Sequence, residues 1–150
     1  MPDRAAETYF RFFNEIGILE QLSRAMFEAR LPAGFIMPHF TVLNHLVRVK
    51  DGQTPLAMAR AFQVPKTSMT HTLMALMKAG FVDIRPNPQD GRSKCVFITP
   101  QGQSFRVAAI EAVLPDLARI ASSIPIEQIT AALPILEELR RHMDQARDFR

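Results

Sequence analysis

The chain has 150 residues, 47% of them apolar, and 18 basic against 15 acidic side chains give a net charge of +3. That length fits one domain with a real core, and that apolar content excludes disorder as the dominant state. A single cysteine excludes an internal disulfide, "MPDRAAETYF" is too polar for a secretory signal, and no apolar run approaches spanning length, so a cytoplasmic protein without membrane contact is expected.

Taken in chain order, residues 3 to 30 read as one long helix. Phe12, Ile16, Leu19, Leu22 and Met26 recur at spacings of three and four, without proline. Tyr9, Phe10, Phe13, Ile18 and Phe27 widen the apolar surface beyond one stripe, more than a small core can cover, and a second subunit would cover it. "LPAGF" ends this helix. "MPHFTVLNHLVRV" gives the next, with Pro38 in its first turn and Phe40, Leu43, Leu46 and Val47 inward, and "KDGQ" is a turn. Thr54 as N-cap and Pro55 as first helical residue start "TPLAMARAFQV". Only "QVP" separates it from "KTSMTHTLMALMKAG", closed by Gly80, which is the layout of a helix-turn-helix.

Residues 81 to 99, "FVDIRPNPQDGRSKCVFIT", alternate at both ends and are polar and turn-rich between, so they read as a β-hairpin with Pro, Asn and Gly making its turn. "TPQG" repeats the Thr-Pro start signal and opens a helix to about Ala121. A last helix restarts at Ser123 and Pro125, and Pro115 and Pro134 predict a kink or break in these two helices. The expected fold is mostly α with one small β-hairpin.

Two segments carry the functional reading. On a helical wheel over 66–79, Met69, Leu73, Leu76 and, at the edge, Met77 face the core. Thr67, His71, Met74 and Lys78 lie opposite, flanked by Ser68, Thr70 and Ala75, with Lys66 at the start. An outward face that begins with small hydroxyls suits a helix end entering a DNA major groove, where Ser and Thr reach phosphates or bases and Met touches thymine methyls. Read blandly, the same hydroxyls are caps and first-turn residues. The hairpin shifts the balance: beside such a helix it is a wing, and Arg92 at its tip suits a narrow, electronegative minor groove. Asp90 is placed to orient Arg92, and Arg85 and Lys94 add basic charge on the strands. The basic excess of the whole chain concentrates in residues 51–100, which agrees with an anionic partner.

"TSMTHTLMALMKAGFVDIRPNPQDGRSKCVFITPQG" resembles the core of a MarR-type winged helix-turn-helix regulator. The helix-end junction is matched by Leu76 through Val82, and the wing by Arg85, Pro86, Asp90, Arg92, Val96, Ile98 and Thr99. The resemblance implies one domain over 1–150, with a DNA-binding lobe at about 38–100 and dimerisation helices at about 3–30 and 101–148. It further implies a homodimer on a pseudo-palindromic operator in double-stranded DNA, acting as a repressor relieved by a small aromatic or anionic effector. Carried over by position, Ser68, Thr70 and His71 contact the major groove, Arg92 the minor groove, and Asp90 orients it. His71 stands where arginine is common, Met74 where a polar or acidic residue is common, and Gly91 where arginine is common.

Rival classes leave weaker traces. The four histidines read as surface or edge residues without close-spaced ligand partners, so no metal or cofactor is expected. A redox-responsive regulator would use Cys95, but alternation turns Lys94 to the other face and no thiolate activation is indicated. No phosphate loop, nucleophile elbow or HExxH motif marks an enzyme. A winged helix used only for protein contacts is the remaining alternative, and it predicts little salt-dependent DNA affinity.

Overall fold

The computed structural model describes residues 3–147. Its elements are α1 (Arg4–Glu28), α2 (Met37–Arg48), α3 (Pro55–Phe62), α4 (Lys66–Lys78), β1 (Val82–Asn87), β2 (Asp90–Ile98), α5 (Pro100–Ala121) and α6 (Ile126–Arg147). Contacts divide the chain into two compact units that meet between Val113 and Leu114. None of the described helices is long and apolar enough to cross a membrane.

The start and stop signals act where the sequence puts them. Thr54 Oγ1 accepts the Ala57 N–H at 3.1 Å, and Pro55 opens α3. Such a cap is worth on the order of 1 kcal/mol. At the end of α4, Gly80 adopts φ +79°, and Phe81 N–H returns to Leu76 O at 2.9 Å, closing a left-handed C-terminal turn. Thr99 does double duty. Its hydroxyl donates to Gly80 O at 2.6 Å and accepts the Gly102 N–H at 3.0 Å, so one side chain joins the end of α4 to the start of α5.

The core of the first unit is a single cluster: Val42, Leu43 and Leu46 from α2, Met58 and Ala59 from α3, Met69, Leu73 and Leu76 from α4, and Val82 and Val96 from the hairpin. Phe35, Phe81 and Phe105 stack beside it, with Phe81 and Phe105 centroids 4.5 Å apart. Two expected core residues stay out. Val47 and Met77 are 45% and 48% exposed, because each lies on the edge of its stripe away from the buried centre. Two histidines expected at the surface are buried instead. His39 Nδ1 accepts the Ile36 N–H at 2.9 Å, and His45 pairs with Gln53 Oε1 at 3.3 Å. Each buried imidazole has a polar partner, which is what makes its burial tolerable.

The strands run closer to the hairpin tip than their sequence pattern implies. They pair from Val82↔Ile98 to Pro86↔Lys94, and after an irregularity at Pro86/Asn87 they close with Asn87↔Asp90. Pro88 and Gln89 alone form the turn. Gly91 therefore belongs to β2 and has no positive φ, so the turn does not depend on it. Pro86 lacks an N–H, yet a two-stranded ribbon has open edges on which that loss is tolerated. The turn before α3 contributes more than a reversal. Gly52 N–H donates to Val96 O at 2.9 Å, Val96 N–H to Gln53 O at 2.8 Å, and Ile98 N–H to the Asp51 carboxylate at 3.0 Å. This clasp adds an antiparallel bridge, Gln53↔Val96, to the ribbon.

Pro115 and Pro134 lie inside α5 and α6, and neither breaks its helix. Each removes one backbone donor from the ladder. In α1 no residue is buried, and Tyr9, Phe10, Leu19 and Leu22 are 60% exposed or more.

A methyl at Gly102 would lie 2.2 Å from Phe81 O, where α5 starts against the head of β1. Gly102→Ala should lower stability by roughly 1–3 kcal/mol, read as the shift of a urea unfolding midpoint. An unshifted midpoint would mean that this junction yields freely.

Candidate nucleic-acid interface

α4 begins at Pro65 without any side-chain cap. Thr67 and Ser68 thus do not cap the helix, though they do lie in its first turn as the bland reading has them, and the first-turn N–H groups have no side-chain cap and suit an anion. Lys66, Thr67, Ser68, Thr70, His71, Met74 and Lys78 are all exposed, as the wheel places them. Thr70 donates its hydroxyl proton back to Lys66 O at 2.9 Å, leaving its oxygen as an acceptor. Ser68 stands on the flank of the helix and lines a cavity.

Before α4, Gln63 takes φ 54° at the end of α3, and Val64 N–H returns to Ala59 O at 3.0 Å. A left-handed residue here turns the chain within three residues, which sets α4 across α3 as in a helix-turn-helix. Glutamine in this conformation is unusual, and its own side chain helps by donating to Arg60 O at 2.7 Å.

The hairpin tip is organised by short side chains. Asn87 Oδ1 accepts the Gln89 N–H at 3.0 Å, and Asn87 Nδ2 donates to Ser93 Oγ at 2.8 Å. Asp90 Oδ1 accepts the Arg92 N–H at 3.0 Å but stands 3.7 Å from the Arg92 Nε. Asp90 therefore fixes the backbone under Arg92 more firmly than the guanidinium. The Arg92 side chain is 97% exposed, so it projects from a defined base with its charge available. Lys94 is exposed as well. Arg85 is held differently: its guanidinium carbon lies 4.5 Å from the Phe97 ring centroid, and its Nη2 is 3.6 Å from Asp83 Oδ2. The fold thus joins the two candidate segments through Gly80 and Phe81 within one compact unit, with every predicted residue accessible.

Sequence reasoning missed two features. One is the 51–53 clasp on β2, which pairs residues more than 40 apart. The other is a cavity of about 500 Å³ bounded by the second half of α1, the start of α2 and the α3–α4 corner. Val42, Phe62 and Met69 give it apolar walls, and Glu20, Arg24 and Glu28 bring charge. Glu28 is engaged already, accepting the Met37 N–H at 2.7 Å. No local sequence signal marks such a space, because its lining comes from four helices. Among the described residues no group of His, Cys, Asp and Glu could hold a metal ion.

A model of the MarR family matches residues 33–93, a stretch that contains the helix-turn-helix, β1 and the hairpin tip. The lobe has a winged-helix fold similar to that family's. Solved structures agree over nearly the whole chain. A MarR transcriptional regulator from Methanosarcina mazei is 20% identical with a TM-score of 0.75, covering 88% of this chain and 97% of its own. The regulator BldR from Sulfolobus solfataricus is 19% identical, with a TM-score of 0.73 and coverage of 91% and 99%. A mutant MarR from E. coli complexed with operator DNA is 21% identical, with a TM-score of 0.71 and coverage of 92% and 99%. At such identities the likeness is one of fold.

The winged lobe has a pH-sensitive interior. Burial, and then the nearby charge of His71, hold the His39 pKa below the usual histidine value. His45 is also lowered, chiefly by burial and further by Arg48, against an opposing hydrogen bond from Gln53. Both groups resist protonation in the fold more than in the unfolded chain. As pH falls through the unfolded value of 6.5, the unfolded state binds protons first and stability drops, until the folded groups protonate too. Melting temperature should therefore fall between about pH 7.5 and pH 5, and fall less in His39→Asn, which keeps an acceptor for Ile36 N–H. Identical pH profiles for the two chains would contradict this.

Proposed function

We propose that the protein is a MarR family transcription regulator: a homodimer that binds a pseudo-palindromic operator in double-stranded DNA and acts as a repressor relieved by a small molecule. The observation that carries this reading is the pairing, in one compact unit, of an uncapped α4 N-terminus fronted by exposed hydroxyls with a hydrogen-bonded wing tip bearing a fully exposed Arg92. Thr70 and His71 would read bases in the major groove, Lys66 and Lys78 would meet phosphates, and Arg92 would enter the adjacent minor groove. The operator complex of the E. coli MarR supports the same use of the fold. No catalytic residue has a part in this reading, and a cytoplasmic location suits it.

Residues of about 38–100 form the DNA-binding lobe in this proposal, with 3–30 and 101–148 serving dimerisation. Support comes from apolar side chains that the single chain leaves uncovered: Tyr9, Phe10 and Leu22 on α1, and Ile126, Leu133 and Met143 on α6. Exposed apolar surface of that extent suits a partner copy. Two lobes on one dimer would present their α4 helices to half-sites about one helical turn of DNA apart.

The cavity between α1 and the α3–α4 corner suits the effector. An aromatic or anionic molecule there would touch α1 and α4 together, and an acidic group would compete with Glu20, 3.4 Å from the Arg24 Nε, for that guanidinium. If it fits one lobe geometry better than the other, its binding shifts the population between them.

Arg92→Ala should weaken duplex binding across most sequences and reduce the slope of log K against log salt by roughly one, as one lost phosphate-region contact would. Equal slopes for mutant and wild type would remove the wing from the interface. Replacing Thr70 or His71 should change which bases an in vitro selection returns. Recovery of the wild-type motif would remove α4 from base reading.

A further inference from the structure

On the ribbon face turned away from Val82 and Val96, three side chains gather whose combination neither the helix-turn-helix nor the wing tip requires. Asp83 is the cross-strand partner of Phe97, and Arg85 follows two residues along β1, so all three share that face. The Arg85 guanidinium lies over the Phe97 ring, with the Asp83 carboxylate beside it. Behind the ring stands Gly52. An ideal Cβ at that position would be 2.8 Å from Phe97 Cε1, and Gly52 itself adopts φ +75°. The turn that carries Gly52 is hydrogen-bonded to β2 on both sides of Phe97, at Val96 and at Ile98. The ring therefore packs closely on Gly52 along one edge, while a cavity of about 610 Å³ opens beside both, and it forms a floor under the guanidinium.

An arginine 60% exposed at the surface ordinarily samples many rotamers, and ordering it on a ligand loses that freedom. A ring face and a carboxylate that both accept its charge narrow the choice before any ligand arrives. We propose that Phe97 is a positioning residue for DNA binding: its ring, backed by Gly52, holds Arg85 extended for the phosphate backbone, while Asp83 partly neutralises the same guanidinium and moderates its pull. This rests on the DNA-binding reading of the wing. It also makes opposite predictions for two neighbours of Arg85, because Phe97 helps the contact and Asp83 competes with it.

The test is fluorescence anisotropy with a selected duplex at several salt concentrations. Phe97→Leu should weaken binding roughly 2- to 5-fold, the scale of an exposed cation–π contact, and leave the salt slope unchanged because no charge is removed. Phe97→Tyr keeps the ring face and should bind as the wild type does. Asp83→Asn should bind more tightly at low salt. The deciding comparison is Phe97→Leu in an Arg85→Ala background, where its effect should vanish. An equal loss in both backgrounds would overturn the proposal and make Phe97 a packing residue only. Should Phe97→Leu fail to fold in a thermal melt, Asp83→Asn decides: unchanged or weaker low-salt affinity overturns the proposal. A wild type that binds no duplex defeats the regulator reading and this inference with it. A wild type that binds, with Phe97→Leu indistinguishable from it, defeats this inference alone.

Discussion

Val96 exchanges two backbone hydrogen bonds with the turn before α3, accepting from Gly52 and donating to Gln53, while Asp51 takes the Ile98 N–H. Everything proposed for the wing depends on this clasp. A two-stranded ribbon alone is marginal in water, and a ribbon that swung freely could not present an arginine at a fixed distance from α4. Pinned to the helix-turn-helix on one side and joined to α4 and α5 through Thr99 on the other, it becomes a rigid extension of the core. Val96 adds burial to this, since its side chain is fully enclosed in the main cluster.

Rigidity at the base allows the tip to be polar and exposed. The Asn87, Asp90 and Ser93 bonds to backbone hold the tip, so Arg92 keeps an exposed guanidinium, only loosely paired with Asp90 at 3.7 Å, while its backbone is held. α4 follows the same division. Met69, Leu73 and Leu76 anchor one face, and the opposite face has little internal work to do. A surface so prepared loses little entropy when a rigid, charged partner docks on it.

Much of this is readable in the sequence, and for local reasons. As helix start and stop signals, Thr54-Pro55, Gly80 and Thr99-Pro100 act within a few residues of themselves, and only the Thr99 bond to Gly80 O reaches further. The inward triad of α4 follows from helical spacing alone. What escapes is long-range or set by neighbours. His39 and His45 look like surface residues until Ile36 N–H and Gln53 supply partners for their buried rings. Val47 and Met77 belong to apolar stripes, yet the packing centre lies off to one side of each. Gly91 reads as a turn residue, while the register hands the turn to Pro88 and Gln89. The Gly52–Phe97–Arg85 stack joins three positions whose spacing carries no pattern, and the cavity draws its walls from four helices.

The central claim is that α4 and the wing tip engage one duplex together. Titrating a selected duplex into ¹⁵N-labelled protein tests it most directly by following backbone amide shifts. The account predicts that residues of the first two turns of α4 and residues 88–93 of the tip shift in a single concerted transition, with α6 amides unmoved. Shifts confined to α6 or to α1, with α4 and the tip silent, would contradict it.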